Sequence, residues 1–160
     1  MRDARRKPSA ALRAAAVRML ARREYARAEL ADCLVRKGAD ADQVARLLDE
    51  LEQRGYLSDA RYAQMLVSRR AGRFGRRAIA HALLARGVSA GAAQAAMTTL
   101  AHTDEHAEAA TLWQRRFGQA PKDDRERARQ VRFLIGRGYP MSVALDVVPR
   151  ARPGAVDDAD

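Results

Sequence analysis

Three copies of one helical pattern follow one another along the chain, and this internal repeat limits the folds open to it. Shifting the first copy forward by 49 and by 100 residues superposes a core leucine and a glycine. The superposed residues are Leu34, Leu83 and Leu134, and Gly38, Gly87 and Gly138. The third copy departs at one position, where Gln130 stands in the place of Leu30 and Ile79. A period of this length is typical of repeat proteins, in which each unit packs only against its neighbours.

Within each copy the apolar residues recur at the spacing of a helix face. In the first copy Leu12, Ala15, Ala16 and Met19 fall at +3, +4 and +7, and no alternating β-branched run predicts a strand. We therefore predict an all-α protein whose repeats each contain three helices. In the later copies the predicted spans are 59–70, 75–86, 89–101, 103–117, 123–137 and 140–148.

Helix-start signals set these bounds. Asp40 with Gln43, and Asp123 with Glu126, form patterns typical of a capped helix start. We expect Ser89, Thr103 and Pro140 to begin the other helices, and the three repeat glycines to end the middle helix of each unit in the left-handed conformation.

The predicted organisation is three tandem repeats between two irregular ends. The repeats cover residues 10–57, 58–101 and 102–148, and we expect residues 1–9 and 149–160 to be mobile because they are charged and rich in proline. A unit of about 50 residues buries little surface alone. We therefore expect the repeats to pack into an elongated, curved array.

The charge distribution predicts an anionic partner. Lys and Arg outnumber Asp and Glu by 30 to 20, which gives a net charge of +10. Residues 60–103 contain no acidic side chain, so the arginines there have no local counterion. Such a run favours carboxylates or phosphates. The predicted binding residues are Arg61, Arg69, Arg70, Arg73, Arg76, Arg77 and Arg86.

The sequence does not predict an enzyme, a cofactor or a metal site. His102 and His106 flank the predicted helix start at Thr103, so they should not share a helix face. Cys33 lies on an apolar stripe and should be a buried small side chain. The turn at Gly72 and Gly75 has neither the preceding strand nor the lysine of a phosphate-binding loop.

Cellular location and core aromatic residues follow from simpler signals. A lone cysteine cannot form a disulfide within the chain, and neither a signal peptide nor a membrane-spanning run is apparent, so we expect a cytoplasmic protein. Trp113 and Phe117 should pack in the core. Tyr139, directly after Gly138, and Tyr56, directly after Gly55, should make the apolar contact that closes a helix end.

Over about residues 10–148 the chain resembles the RecX family of recombination regulators. The resemblance lies in the order and spacing of short segments together with the threefold repeat. These segments are Ala21-Arg22-Arg23-Glu24-Tyr25, Glu29-Leu30, Lys37-Gly38, Gly55-Tyr56-Leu57-Ser58-Asp59-Ala60-Arg61-Tyr62-Ala63 and Gly136-Arg137-Gly138-Tyr139.

The resemblance implies a regulatory protein that binds the RecA nucleoprotein filament on single-stranded DNA. It implies docking in the helical groove of the filament and inhibition of RecA ATPase, strand exchange and coprotease activity. We expect a monomer that makes at most weak direct DNA contact. Two alternatives stay open, namely a protein that binds DNA without reading its sequence, and a helical adaptor with no nucleic-acid partner.

Overall fold

The computed structural model describes residues 7–152, and within them it contains nine α-helices and no strand. The all-α class and the three tandem trios of helices are therefore confirmed. The helices are α1 (Ala10–Arg22), α2 (Arg27–Arg36), α3 (Ala41–Gln53), α4 (Asp59–Arg70), α5 (Arg76–Ala85), α6 (Ala90–Thr98), α7 (Glu105–Arg116), α8 (Asp124–Gly136) and α9 (Met141–Val147). Most of the two ends expected to be mobile, residues 1–6 and 153–160, lie outside the described residues.

Side-chain caps explain where most of these helices begin. Asp40 accepts a hydrogen bond from the Gln43 N–H at 3.0 Å, and Asp123 accepts one from the Glu126 N–H at 2.7 Å, which confirms both predicted starts. The prediction for Thr103 is wrong by one residue. Asp104 caps α7 through the Ala107 N–H, because the Thr103 hydroxyl instead donates to the Leu100 carbonyl at 2.8 Å.

Two compact units share the chain. The first contains the described residues up to Arg69 together with Ala82–Thr98, and the second contains Arg70–His81 together with the described residues from Thr99 onward. Helix α5 contributes residues to both units. One buried cluster of the first unit draws on α1, α2, α3 and the turn after α3. It contains Leu12, Ala16, Leu30, Leu34, Val44, Leu47, Leu48, Leu51 and Leu57.

The second unit has its own core on α7, α8 and α9. Ala109, Leu134, Ala144 and Val148 are buried there. Gln130 is also buried, and its Oε1 accepts a hydrogen bond from Trp113 Nε1 at 2.8 Å. The third repeat has therefore kept its register, because a paired glutamine takes the core position of Leu30 without leaving an unsatisfied polar group.

The predicted glycine conformations at the turns that end the middle helices are confirmed. Gly38, Gly87 and Gly138 all have the predicted positive φ, at 95°, 68° and 92°. Tyr139 packs into the core after Gly138, as predicted, and Trp113 and Phe117 are partly buried.

Two side chains were placed wrongly from the sequence. Tyr56 is 59% exposed, because the next residue, Leu57, turns inward after Gly55 and makes the apolar contact instead. Cys33 is only partly buried, since it lies at the edge of its helix face, where Arg36 reaches within 3.8 Å of its sulfur.

In the first unit, the first and second repeats are joined at the start of α2. Ala26 occupies the N-cap of α2 and has no side-chain group that can cap it. Asp59, the first residue of α4, supplies the missing acceptor. Its Oδ1 accepts from the Arg27 N–H at 2.8 Å and its Oδ2 accepts from the Ser89 N–H at 3.0 Å. One carboxylate of the second repeat thus satisfies donors of two helix starts.

In the second unit, the same arrangement recurs at the start of α5. Gly75 precedes α5 and has no side chain, and its N–H donates to the Arg137 carbonyl at 2.8 Å. The Arg76 N–H donates at 2.9 Å to Oε1 of Glu105, the first residue of α7. Close backbone approach requires the glycine, because a Cβ at Gly75 would collide with Gly138. The first two middle helices are capped from the next repeat, whereas α8 has its own cap, Asp123.

The helices are short. The longest has 13 residues, and no helix within residues 7–152 has the length and apolar character needed to cross a membrane.

The neighbouring residues Leu83 and Leu84 test the assigned core stripe. Leu83 is fully buried and Leu84 is 66% exposed. Leu83→Ala should lower the free energy of unfolding by about 2–5 kcal/mol, because it removes buried apolar surface and leaves a cavity. Leu84→Ala, the matched control, should change it by less than about 0.5 kcal/mol. Urea unfolding followed by circular dichroism measures both, and equal losses would contradict the assignment.

Candidate anion-binding surface

The seven arginines predicted to bind an anion lie on α4, on α5 and on the turns that follow them. Arg61, Arg69 and Arg86 belong to the first unit, and Arg70, Arg73, Arg76 and Arg77 belong to the second. Their individual contacts divide them into two classes, those held by carboxylates of this chain and those without such a partner.

Arg61 and Arg86 pair with carboxylates that are remote in sequence. Arg61 Nε lies 2.9 Å from Glu24 Oε1, and its Nη2 donates to the Gly55 carbonyl at 2.8 Å. Arg86 Nη1 lies 3.3 Å from Glu29 Oε1, an oxygen that also pairs with Arg23 at 2.7 Å. Both guanidinium groups therefore hold the first and second repeats together, and part of their charge is neutralised within the molecule.

Arg76 is one copy of an arginine that recurs at the start of all three middle helices. The same shifts that align the glycines place it with Arg27 and Arg127. Arg27 Nη2 donates to the Ala45 carbonyl at 3.2 Å, and Arg127 Nη2 donates to the equivalent Leu145 carbonyl at 3.3 Å. In the second repeat, Arg76 Nη2 donates to the Thr103 carbonyl at 2.8 Å. This arginine connects elements within the fold in every repeat.

The carboxylates around Arg27 also favour its charged form. Its guanidinium lies 2.8 Å from Asp49 and 3.1 Å from Glu52. Burial lowers the pKa of Arg27, but the hydrogen bonds to Asp49 and Glu52 outweigh that effect and raise this pKa above its ordinary value. Sequence reasoning missed Arg27 and Arg127, although the repeat alignment that reveals the glycines contains them.

Four of the seven arginines have no salt bridge to a carboxylate anywhere in residues 7–152. We call this set, Arg69, Arg70, Arg73 and Arg77, the free arginines. Arg69, Arg73 and Arg77 are exposed, while Arg70 is partly buried with its guanidinium carbon 4.9 Å from the centre of the Phe74 ring. These four residues lie within residues 60–103, which contain no acidic side chain and which we call the acid-free stretch. Their donors are therefore open to an external anion.

Two further ionisable groups of the second unit are perturbed. Burial, together with the charges of Glu108 and Glu105, raises the pKa of Tyr139 to about 12. Burial also raises the pKa of Glu108 above its usual range, and Glu105 adds to this effect. The Tyr139 hydroxyl is buried without a hydrogen-bond partner among the described residues, which makes it a packing residue rather than a proton donor at neutral pH.

The residues considered for metal or nucleophilic chemistry do not converge. His81, His102 and His106 are exposed. Within residues 7–152, no three His, Cys, Asp or Glu side chains are close enough to hold a metal ion.

Comparison with protein families assigns each repeat separately. Residues 13–51 match the model of the first three-helix domain of RecX, residues 58–97 match the second, and residues 103–148 match the third.

Named relatives cover most of the chain. It is 44% identical over 142 residues to the regulatory protein RecX of Leptothrix cholodnii, and the aligned region covers 89% of this chain and 90% of the relative. It is 41% identical over 128 residues to the regulatory protein RecX of Herminiimonas arsenicoxydans, across 80% of this chain and 84% of that one. The crystal structure of RecX from Lactobacillus salivarius has a TM-score of 0.67 at 19% identity, over 86% of this chain and 96% of that chain, and so shows a similar fold.

Arg76 and Arg77 are adjacent, but Arg76 is paired with a carboxylate and Arg77 is a free arginine. Comparing their alanine variants tests this division. Arg76→Ala should lower the free energy of unfolding by about 0.5–1.5 kcal/mol, because the Thr103 carbonyl loses its donor. Arg77→Ala should change it by less than about 0.5 kcal/mol. Chemical denaturation of both variants measures the free energy of unfolding. A larger loss of stability for Arg77→Ala than for Arg76→Ala would contradict the division into paired and free arginines.

Proposed function

Because this chain belongs to the RecX family of regulatory proteins, we propose that it binds the RecA nucleoprotein filament and regulates it by inhibition. The proposed binding mode is docking in the helical groove of a filament on single-stranded DNA. The activities restrained are RecA ATPase, strand exchange and coprotease function. We further propose that the protein acts in the cytoplasm as a monomer, without a cofactor and without catalysing a reaction.

The observation that carries this proposal is the contrast between the free arginines and their paired neighbours. Arg61, Arg76 and Arg86 each have a carboxylate of this chain within 4 Å, whereas the free arginines have none among the described residues. Uncompensated guanidinium groups repel one another, and an anionic partner relieves that repulsion. Planar guanidinium donors suit the carboxylates of an acidic protein surface and the phosphates of DNA.

Three tandem helical units suggest how modest contacts add up to strong binding. A repeat protein presents similar surfaces in series, and a filament presents successive protomers. When one contact has formed, the others become intramolecular, so overall affinity exceeds that of any single contact. Inhibition then follows if the protein binds one arrangement of the protomers better than another, since a ligand shifts only an equilibrium between states that it binds differently.

The alternative function is direct DNA binding without sequence reading. Three-helix units include helix-turn-helix readers of the major groove, and the free arginines would contact phosphate as readily as carboxylate. Binding to phosphates alone weakens steeply as salt rises, because counterions are released. Filament docking instead requires RecA and should persist at salt concentrations that abolish binding to bare DNA.

The free arginines supply the functional test. The triple substitution Arg69→Ala, Arg73→Ala and Arg77→Ala should raise the protein concentration that half-inhibits RecA ATPase by about tenfold, as three lost surface contacts of about 0.5 kcal/mol each imply. ATP turnover by RecA on single-stranded DNA is measured while the protein is titrated in.

A matched control removes the same charge elsewhere. Arg18, Arg22 and Arg54 are exposed and lie outside the acid-free stretch, and they form no salt bridge within residues 7–152. Their triple alanine variant should inhibit like the unsubstituted protein. Equal effects of the two variants would exclude a specific role for the free arginines. Inhibition that disappears in parallel with binding to bare DNA as salt rises would favour the alternative.

A further inference from the structure

Three arginines and three phenylalanines of the second unit alternate in one stacked series, which we call the guanidinium ladder. Each successive pair is in contact, and every member belongs to the second unit. The ladder runs Arg70, Phe74, Arg137, Phe133, Arg116, Phe117. It joins the end of α4 and the turn before α5 to the ends of α7 and α8.

The stacking distances are similar along the ladder. The guanidinium carbon of Arg137 lies 5.0 Å from the Phe74 ring centre and 5.1 Å from that of Phe133. Arg116 lies 5.8 Å from the Phe133 centre and 5.3 Å from the Phe117 centre. The two rings also meet edge to face at a centroid distance of 5.3 Å. Arg137 therefore lies over two rings, and its position is further fixed by a 3.5 Å hydrogen bond to the Arg73 carbonyl.

No ladder arginine forms a salt bridge to a carboxylate in the part of the chain that the structure describes. Arg70 and Arg137 share one ring, which keeps their charges within about 10 Å of each other, a distance comparable to the screening length at 0.1 M salt. Arg137 and Arg116 share another ring. Like charges held at such spacing repel. A bound anion would reduce this electrostatic repulsion between the guanidinium groups, which favours anion binding at the ladder.

The rings determine which anion fits. Proteins that hold single-stranded nucleic acid offer free aromatic faces on which bases stack. Here the phenylalanines are partly buried, and guanidinium groups lie over them, so the ladder offers planar donors rather than ring faces. Arginine combined with aromatic residues, held rigid before binding, is instead the composition typical of the energetic centre of a protein–protein interface.

We propose that the guanidinium ladder is a docking surface for the carboxylates of an acidic protein partner. Guanidinium groups pair with carboxylates through bidentate hydrogen bonds, and the rings hold the three guanidinium groups of the ladder at set spacing. The choice of the RecA filament as that partner rests on the proposed function, whereas the preference for carboxylates rests on the ladder alone.

Charge-conserving substitution separates geometry from charge. The triple variant Arg70→Lys, Arg116→Lys and Arg137→Lys keeps the net charge but loses the planar stack and the bidentate donors. The matched control is Arg18→Lys, Arg22→Lys and Arg54→Lys, at exposed sites that have neither a stacking ring nor a salt bridge within residues 7–152. A double variant, Arg70→Lys with Arg116→Lys, leaves Arg137 and its hydrogen bond in place, and it is used if thermal unfolding shows that the triple variant is not folded.

Binding is measured with three probes, namely RecA filaments on single-stranded DNA, poly-L-glutamate and bare single-stranded DNA. The ladder variant should bind filaments and poly-L-glutamate at least about fivefold more weakly than the unsubstituted protein, because bidentate pairs are lost. It should bind bare DNA within about twofold of that protein, because phosphate contacts depend mainly on net charge. The control should stay within about twofold for all three probes.

Two results would overturn the ladder proposal. Equal losses in the ladder and control variants would show that stacking contributes nothing. A greater loss for bare DNA than for poly-L-glutamate would assign the surface to nucleic acid. If the unsubstituted protein fails to bind filaments but the poly-L-glutamate result is as expected, the proposed function fails and the carboxylate surface stands.

Discussion

The fold depends on helix starts that are completed by the following repeat. A helix leaves its first N–H groups without partners, and these need an acceptor when they are enclosed by other elements. Helix α2 follows Ala26 and α5 follows Gly75, neither of which has a capping side chain, and Asp59 and Glu105 provide the acceptors from the next repeat. In the third repeat the middle helix, α8, carries its own cap in Asp123. Small helical units that bury little surface alone are thereby linked.

Much of this architecture could be predicted from sequence because the core repeats at fixed spacing. The aligned leucines and glycines gave the helix trios, and α4 has the predicted bounds. The mistakes arose where one residue decides which side chain turns inward. Tyr139 and Tyr56 both follow a glycine directly, yet only Tyr139 is buried, because Leu57 occupies the inward position after Gly55. Gln130 looked like drift in the pattern, although its partner Trp113 keeps it in register.

The candidate surface was less predictable, because the sequence shows where the charged residues are but does not show which residues they pair with. The acid-free stretch contains the seven predicted arginines, of which three have a carboxylate within 4 Å and four have none among residues 7–152. The carboxylates that neutralise Arg61 and Arg86 lie 37 and 57 residues away, so no window of neighbouring residues contains them. The ladder could not be predicted for the same reason, since Arg137 lies over the ring of Phe74, which is 63 residues earlier in the chain. We propose that the free arginines and the ladder bind the partner, whereas Arg61, Arg76 and Arg86 connect elements of the fold.

Amide hydrogen exchange, followed residue by residue with NMR in the full chain, tests most directly whether one repeat completes the helix of the repeat before it. In the unsubstituted protein the Arg27 N–H should be protected, although it lies at an uncapped helix start. Replacing Asp59 with alanine should remove that protection while the Gln43 N–H, capped by Asp40 within the first repeat, stays protected. Unchanged protection of the Arg27 N–H in the Asp59→Ala variant would contradict the account.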